Sequence, residues 1–124
     1  MLLSLPNQGE WSLKGLNWHL DISRATAVLP GVQAFVILDT LLPHGGGTLA
    51  LAGSHRVRNA QGLYPVLRSG AVQDLRQDGV ALKVLEMTGD AGDVYLMDMR
   101  VVHSPSINAT KNVRMMATAR FLRV

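Results

Sequence analysis

The stretch Arg114-Met115-Met116-Ala117-Thr118-Ala119-Arg120-Phe121-Leu122 alternates between two kinds of side chain. Successive side chains of an extended strand point to opposite faces, so Arg114, Met116, Thr118 and Arg120 share one face and Met115, Ala117, Ala119 and Phe121 the other. A face with two arginines and a threonine, backed by an apolar one, suits a polar barrel interior. A buried arginine there needs an anion to pair with. The same alternation also fits the solvent side of an edge strand, and periodicity alone leaves both open.

Working outward, the rest of the chain reads mainly as short strands. Twelve Gly and five Pro punctuate apolar runs, and strands are expected near Leu16 to Asp21, Gln33 to Asp39, Thr48 to Ala52, Ala81 to Met87 and Asp93 to Met97 as well as Arg114 to Val124. One helix is expected over Ser69 to Gln77, with Ser69 as cap and Gly79 as stop. Many short strands and one short helix describe an all-β sandwich or barrel. No repeat or linker divides the 124 residues, so residues 1–124 are expected to form a single domain.

Composition narrows the chemistry. There is no cysteine, hence no disulfide, thiolate metal site or thiol nucleophile, and any metal must take nitrogen and oxygen ligands. A net charge of +3 arises from 12 Lys and Arg against 9 Asp and Glu, scattered rather than gathered. That pattern suits small anionic ligands better than nucleic acid. No apolar run approaches a membrane span, and the opening MLLSLP is short for a signal peptide, so a cytoplasmic protein is the expectation.

In Trp18-His19-Leu20-Asp21 an imidazole and a carboxylate lie two residues apart. On a strand they share one face, while Trp18 and Leu20 share the other. Such a pair makes two adjacent ligands for a divalent metal, and a further histidine from a distant strand completes a 2-His-1-carboxylate face with open positions. His103 is the natural third ligand, because it follows the turn and apolar strand Gly92 to Arg100 and precedes the loop Ser104 to Asn112. A His-x-Asp triplet by itself equally describes an ordinary polar strand face.

Four stretches in order carry a resemblance: Trp18 to Asp21, then Gly46-Gly47-Thr48-Leu49-Ala50-Leu51-Ala52-Gly53-Ser54-His55, then Gly92-Asp93-Val94 to His103, then Arg114. Together they resemble the phytanoyl-CoA dioxygenase family across nearly the whole chain. The resemblance implies a double-stranded β-helix (jelly-roll, cupin-like) fold and a dioxygenase dependent on Fe(II) and 2-oxoglutarate. His19, Asp21 and His103 would be the iron ligands. Arg114, eleven residues after His103, would grip the far carboxylate of 2-oxoglutarate with its guanidinium fork, and Thr48 is a further candidate contact. Related halogenases replace the carboxylate ligand with a small residue, so Asp21 implies a hydroxylase acting with O₂ on a small lipid-like or secondary-metabolite molecule.

Two positions depart from the family pattern. Ala52 stands where its Pro-Gly-Ser-His turn has proline, and Pro105 stands two after the distal histidine where a small polar residue is usual, with Ser104 or Ser106 as substitutes. His55 and His44 read as structural. Family members also carry N-terminal elements that buttress the barrel and that this sequence lacks. From this follow two expectations: self-association as a homodimer through uncovered strand faces, and, as an alternative function, a non-catalytic jelly-roll module for a metal or small acid, or an inactive oxygenase fragment.

Overall fold

Strands dominate because β-branched and apolar residues alternate with small or polar ones over runs too short for helices. The computed structural model describes residues 1–22 and 29–124. Among these, a four-stranded antiparallel sheet runs in the order β1 (Leu2–Ser4), β9 (Arg114–Leu122), β2 (Gly31–Ile37) and β7 (Val94–Asp98). A second sheet runs β6 (Lys83–Glu86), β3 (Leu49–Ala52), β8 (His103–Ser104), and a small hairpin joins β4 (Arg76–Gln77) to β5 (Val80–Ala81). The architecture is an all-β jelly roll with one short helix, α1 (Tyr64–Ser69).

The core has two layers. Phe35, Ile37, Ala50, Met87, Met97, Val101 and Met116 fill the space between the sheets. Leu49 and Leu51 point the other way from β3 and pack with Trp18, Leu63, Leu67, Val80, Leu82 and Val102 beneath α1. The second sheet is thus covered on both faces. The first is not: its outer face carries Leu3, Val94, Leu96 and Phe121, with Leu96 73% and Phe121 63% exposed.

The helix falls before the expected span. Pro65 sits in its first turn, where its fixed φ is pre-set and its missing N–H is no loss. Gly70 ends it in the left-handed conformation at φ 79°, and Ser69, expected as the cap that starts a helix, is its last residue. The Ser69 hydroxyl donates back to the Val66 carbonyl at 2.6 Å. Gly79 stops no helix: Asp78 and Gly79, at φ 51° and 74°, form the two-residue turn between β4 and β5. The expected strand Ala81 to Met87 is likewise divided between β5 and β6, and Leu16 to Asp21 pairs only at His19.

Candidate metal centre

Two histidines far apart in sequence meet as backbone partners. The His19 N–H donates to the His103 carbonyl at 2.9 Å, and the His103 N–H returns the bond to His19 at 3.0 Å. Directly opposed residues of an antiparallel pair place their side chains on the same face, so the two imidazoles lie together, ring centroids 4.5 Å apart. The pairing is held from behind. Trp18 and Val102, each preceding one of these histidines, are buried in the same cluster, and the Val102 N–H donates to the Ser54 hydroxyl at 2.8 Å.

Asp21 completes the group. Its Oδ1 lies 3.5 Å from His19 Nε2 and its Oδ2 3.2 Å from His103 Nε2, and the three ligand atoms fall within 4.8 Å of one another. Each histidine spends its other nitrogen on a backbone carbonyl: His19 Nδ1 on Asn17 at 2.8 Å, His103 Nδ1 on Val101 at 3.0 Å. A carbonyl only accepts, so each Nδ1 is the donor and each Nε2 is left facing Asp21, the orientation found for metal-ligating histidines. Burial lowers the His103 pKa, against the opposing pull of the Val101 bond and the Asp21 charge, and so favours the neutral ring. Two imidazole Nε2 atoms and a carboxylate thus converge. A divalent cation fits that donor set.

The triad lies in a cavity of about 250 Å³ whose walls include Gln33, Phe35, Thr48, Arg114, Thr118 and Arg120. The alternation of β9 therefore resolves in favour of the polar interior: Arg114, Thr118 and Arg120 face the cavity, while Phe121 faces out. Arg114 is 6% exposed, its Nε has no hydrogen-bond partner, and no ion pair engages it among the described residues. Burial alone pushes its pKa down, although a guanidinium stays protonated. Thr48, buried immediately before β3, also lines the cavity.

Other expected contacts do not form. Ser104 donates its hydroxyl to the Pro105 carbonyl at 2.7 Å and Ser106 to the Gly47 carbonyl at 2.5 Å, so neither stands in for the missing polar residue; Pro105 itself reaches the cavity wall. His55 lies in the turn Ser54–Arg56, away from the triad. His44 stacks on Trp11 at 4.4 Å and anchors a loop. Motif reading passed over Gln33. It is reachable only through the register that sets it opposite Arg120.

No family model matches the sequence, and no curated protein does either. Solved structures do match the fold. EvdMO1 superposes with a TM-score of 0.69 at 24% identity, over 98% of this chain and 25% of that one. AviO1 from Streptomyces viridochromogenes Tue57 gives 0.66 at 21%, over 98% of this chain and 48% of that one. EctD from S. alaskensis, solved with 2-oxoglutarate and 5-hydroxyectoine, gives 0.61 at 22%, over 95% of this chain and 40% of that one. This chain thus spans between a quarter and about half of each of those proteins. At these identities the likeness establishes the fold.

Proposed function

We propose that this chain carries the metal and co-substrate site of an Fe(II)- and 2-oxoglutarate-dependent dioxygenase, similar to the phytanoyl-CoA dioxygenase family, that hydroxylates a small organic molecule. The observation that carries this reading is the pairing, in one cavity, of a converging His-Asp-His triad with a buried guanidinium that lacks an anion. The structure of EctD with 2-oxoglutarate, on the same fold, is consistent with it.

His19, Asp21 and His103 would hold the metal on one face and leave the opposite positions open. When bound, Fe(II) would supply the redox chemistry by which O₂ oxidises 2-oxoglutarate to succinate and CO₂ and inserts its second oxygen atom into a substrate C–H bond. Arg114 would fix the far carboxylate of the co-substrate, and burial of that pair orients the 2-oxo acid end toward the triad. Thr48 adds a hydroxyl to the same wall. Asp21 occupies the position that a halide would need, which favours hydroxylation over halogenation.

The test is spectroscopic. Fe(II) and 2-oxoglutarate added without oxygen should produce the weak visible charge-transfer band of the chelate, and O₂ should then bleach it with release of succinate. Absence of the band, with no change on His19→Ala, would reassign the chain as a non-catalytic binding module.

A further inference from the structure

Arg114 accounts for one guanidinium in the cavity; a second, Arg120, has no part in the chemistry above. Both project inward from β9, but six residues separate them, and at roughly 3.3 Å per residue their Cα atoms stand about 20 Å apart. They define two ends of the site. Arg114 lies at the buried end, whereas the Arg120 side chain is 54% exposed at the mouth. Its terminal nitrogen lies 3.2 Å from Asp21 Oδ2, the oxygen that also faces His103. Arg120 therefore reaches the immediate neighbourhood of the reacting centre.

Its attachment there is conditional. On the reading proposed above, Asp21 gives its charge to a dication, and a carboxylate so shared holds a guanidinium less strongly. With a dication and a 2-oxo diacid in place, Asp21 set against Arg114 and Arg120 leaves one positive charge in the cavity unmatched, and it resides on the half-exposed Arg120. That charge calls for a monoanion.

A second observation comes from the neighbouring strand. Gln33 stands directly across from Arg120 in the β2–β9 register and is 4% exposed. Its amide nitrogen donates to the Thr118 hydroxyl at 2.9 Å, while its Oε1 is buried without a partner. A buried amide acceptor without a donor is uncommon, and this one faces the same cavity. Cation and orphan acceptor stand on directly paired positions of β2 and β9 and line the same cavity as the triad.

The geometry points to a substrate that is a small organic acid, its carboxylate held by Arg120 and a nearby O–H or N–H donated to Gln33 Oε1. This rests on the oxygenase reading and sharpens it: the walls beside the triad select a polar monoanion over a lipid-like chain. Arg120 is then a substrate-binding residue, with Gln33 setting the orientation.

The full chain, loaded with Zn(II) and 2-oxoglutarate, can be titrated with 3-hydroxybutyrate as probe and followed by side-chain ¹⁵N resonances of arginine and glutamine. Binding should shift the Arg120 and Gln33 signals and weaken about tenfold or more in Arg120→Ala, with partial recovery in Arg120→Lys. Butyrate should bind less well, and the uncharged 3-hydroxybutyramide less well still. Equal binding of the acid by wild type and Arg120→Ala, or none by wild type, would overturn the proposal while leaving the charge-transfer band, and thus the oxygenase reading, intact. Loss of 2-oxoglutarate binding in Arg120→Ala would make Arg120 a positioning residue for Asp21 and also overturn it. Absence of the band in wild type would remove both.

Discussion

Replacing Arg114 with methionine should stabilise the metal-free protein and disable it at the same time. The guanidinium is 6% exposed, its Nε is unpartnered, and no carboxylate pairs with it among the described residues. An unmet buried polar group costs about 1–3 kcal/mol, and exchange of buried charge for a well-packed apolar side chain is commonly neutral or stabilising. Met116 follows two residues along on the same face, paired with Leu2, and Leu2 lines the same cavity as Arg114, so a thioether has apolar neighbours. We expect a gain of about 1–2 kcal/mol, a rise of roughly 3–8 °C in Tm for a chain of this size. If the arginine exists to hold a carboxylate, 2-oxoglutarate should bind about 30-fold or more weakly, the consequence of losing about 2 kcal/mol from a buried charge pair. Calorimetry of the metal-free protein measures the first and titration of the charge-transfer band the second. A loss of stability above 1 kcal/mol, or 2-oxoglutarate affinity within twofold of wild type, would refute the reasoning.

Three further outcomes follow from other parts of the fold. Asp98 accepts from Arg100 at 2.6 Å; burial works to raise its pKa, but the Arg100 bonds and charge outweigh it and the pKa falls below the usual 3.8. A depressed carboxyl contributes stability above its unfolded pKa and loses it as pH falls through the folded value, so Asp98→Asn should cost about 1 kcal/mol at pH ~7 and nearly nothing at pH ~2 by urea denaturation. An equal cost at both would show that the charge is irrelevant. Gly70→Ala places a side chain at φ 79° beside Lys14 and should cost about 1–2 kcal/mol in the same assay; a neutral result would mean that the end of α1 does not need the left-handed residue. For the exposed outer face of the first sheet, we propose self-association, so the double variant Leu96→Lys, Phe121→Lys should sediment with a lower average mass than wild type at micromolar concentration and keep the fold, and an unchanged mass would discard that face as an interface.

The features legible in the sequence are those written in local period. Strand β9 is readable because its alternation is strict, and the same alternation placed Arg114, Thr118 and Arg120 on one face. The expected helix failed where two local signals competed: Ser69 and Gly79 frame a plausible helix, yet Pro65 before and Gly70 within that frame govern the chain, and Asp78-Gly79 is a stronger hairpin signal than a helix stop. Gln33 carries no local mark. It joins the site only through pairing with a strand more than eighty residues away, which propensity does not encode. The departure at Ala52 leaves the turn's backing role intact, because Ser54 still holds the Val102 amide, whereas at Pro105 the cavity wall lacks the polar side chain of the family pattern.

The triad depends on register more than on the His-x-Asp triplet itself. His19 faces His103 because their backbones exchange two hydrogen bonds, and a slip of one residue would send one imidazole into the apolar layer and bring Trp18 or Leu20 toward the cavity. That slip is opposed from the other side, where Trp18 and Val102 are buried and Ser54 binds the Val102 amide. The residues that fix the face carrying the triad are therefore apolar or hydroxylic neighbours that lie outside the triad. The Gly53-Ser54-His55 turn belongs to this backing: its serine fastens the strand that presents His103, while its own histidine remains outside the site.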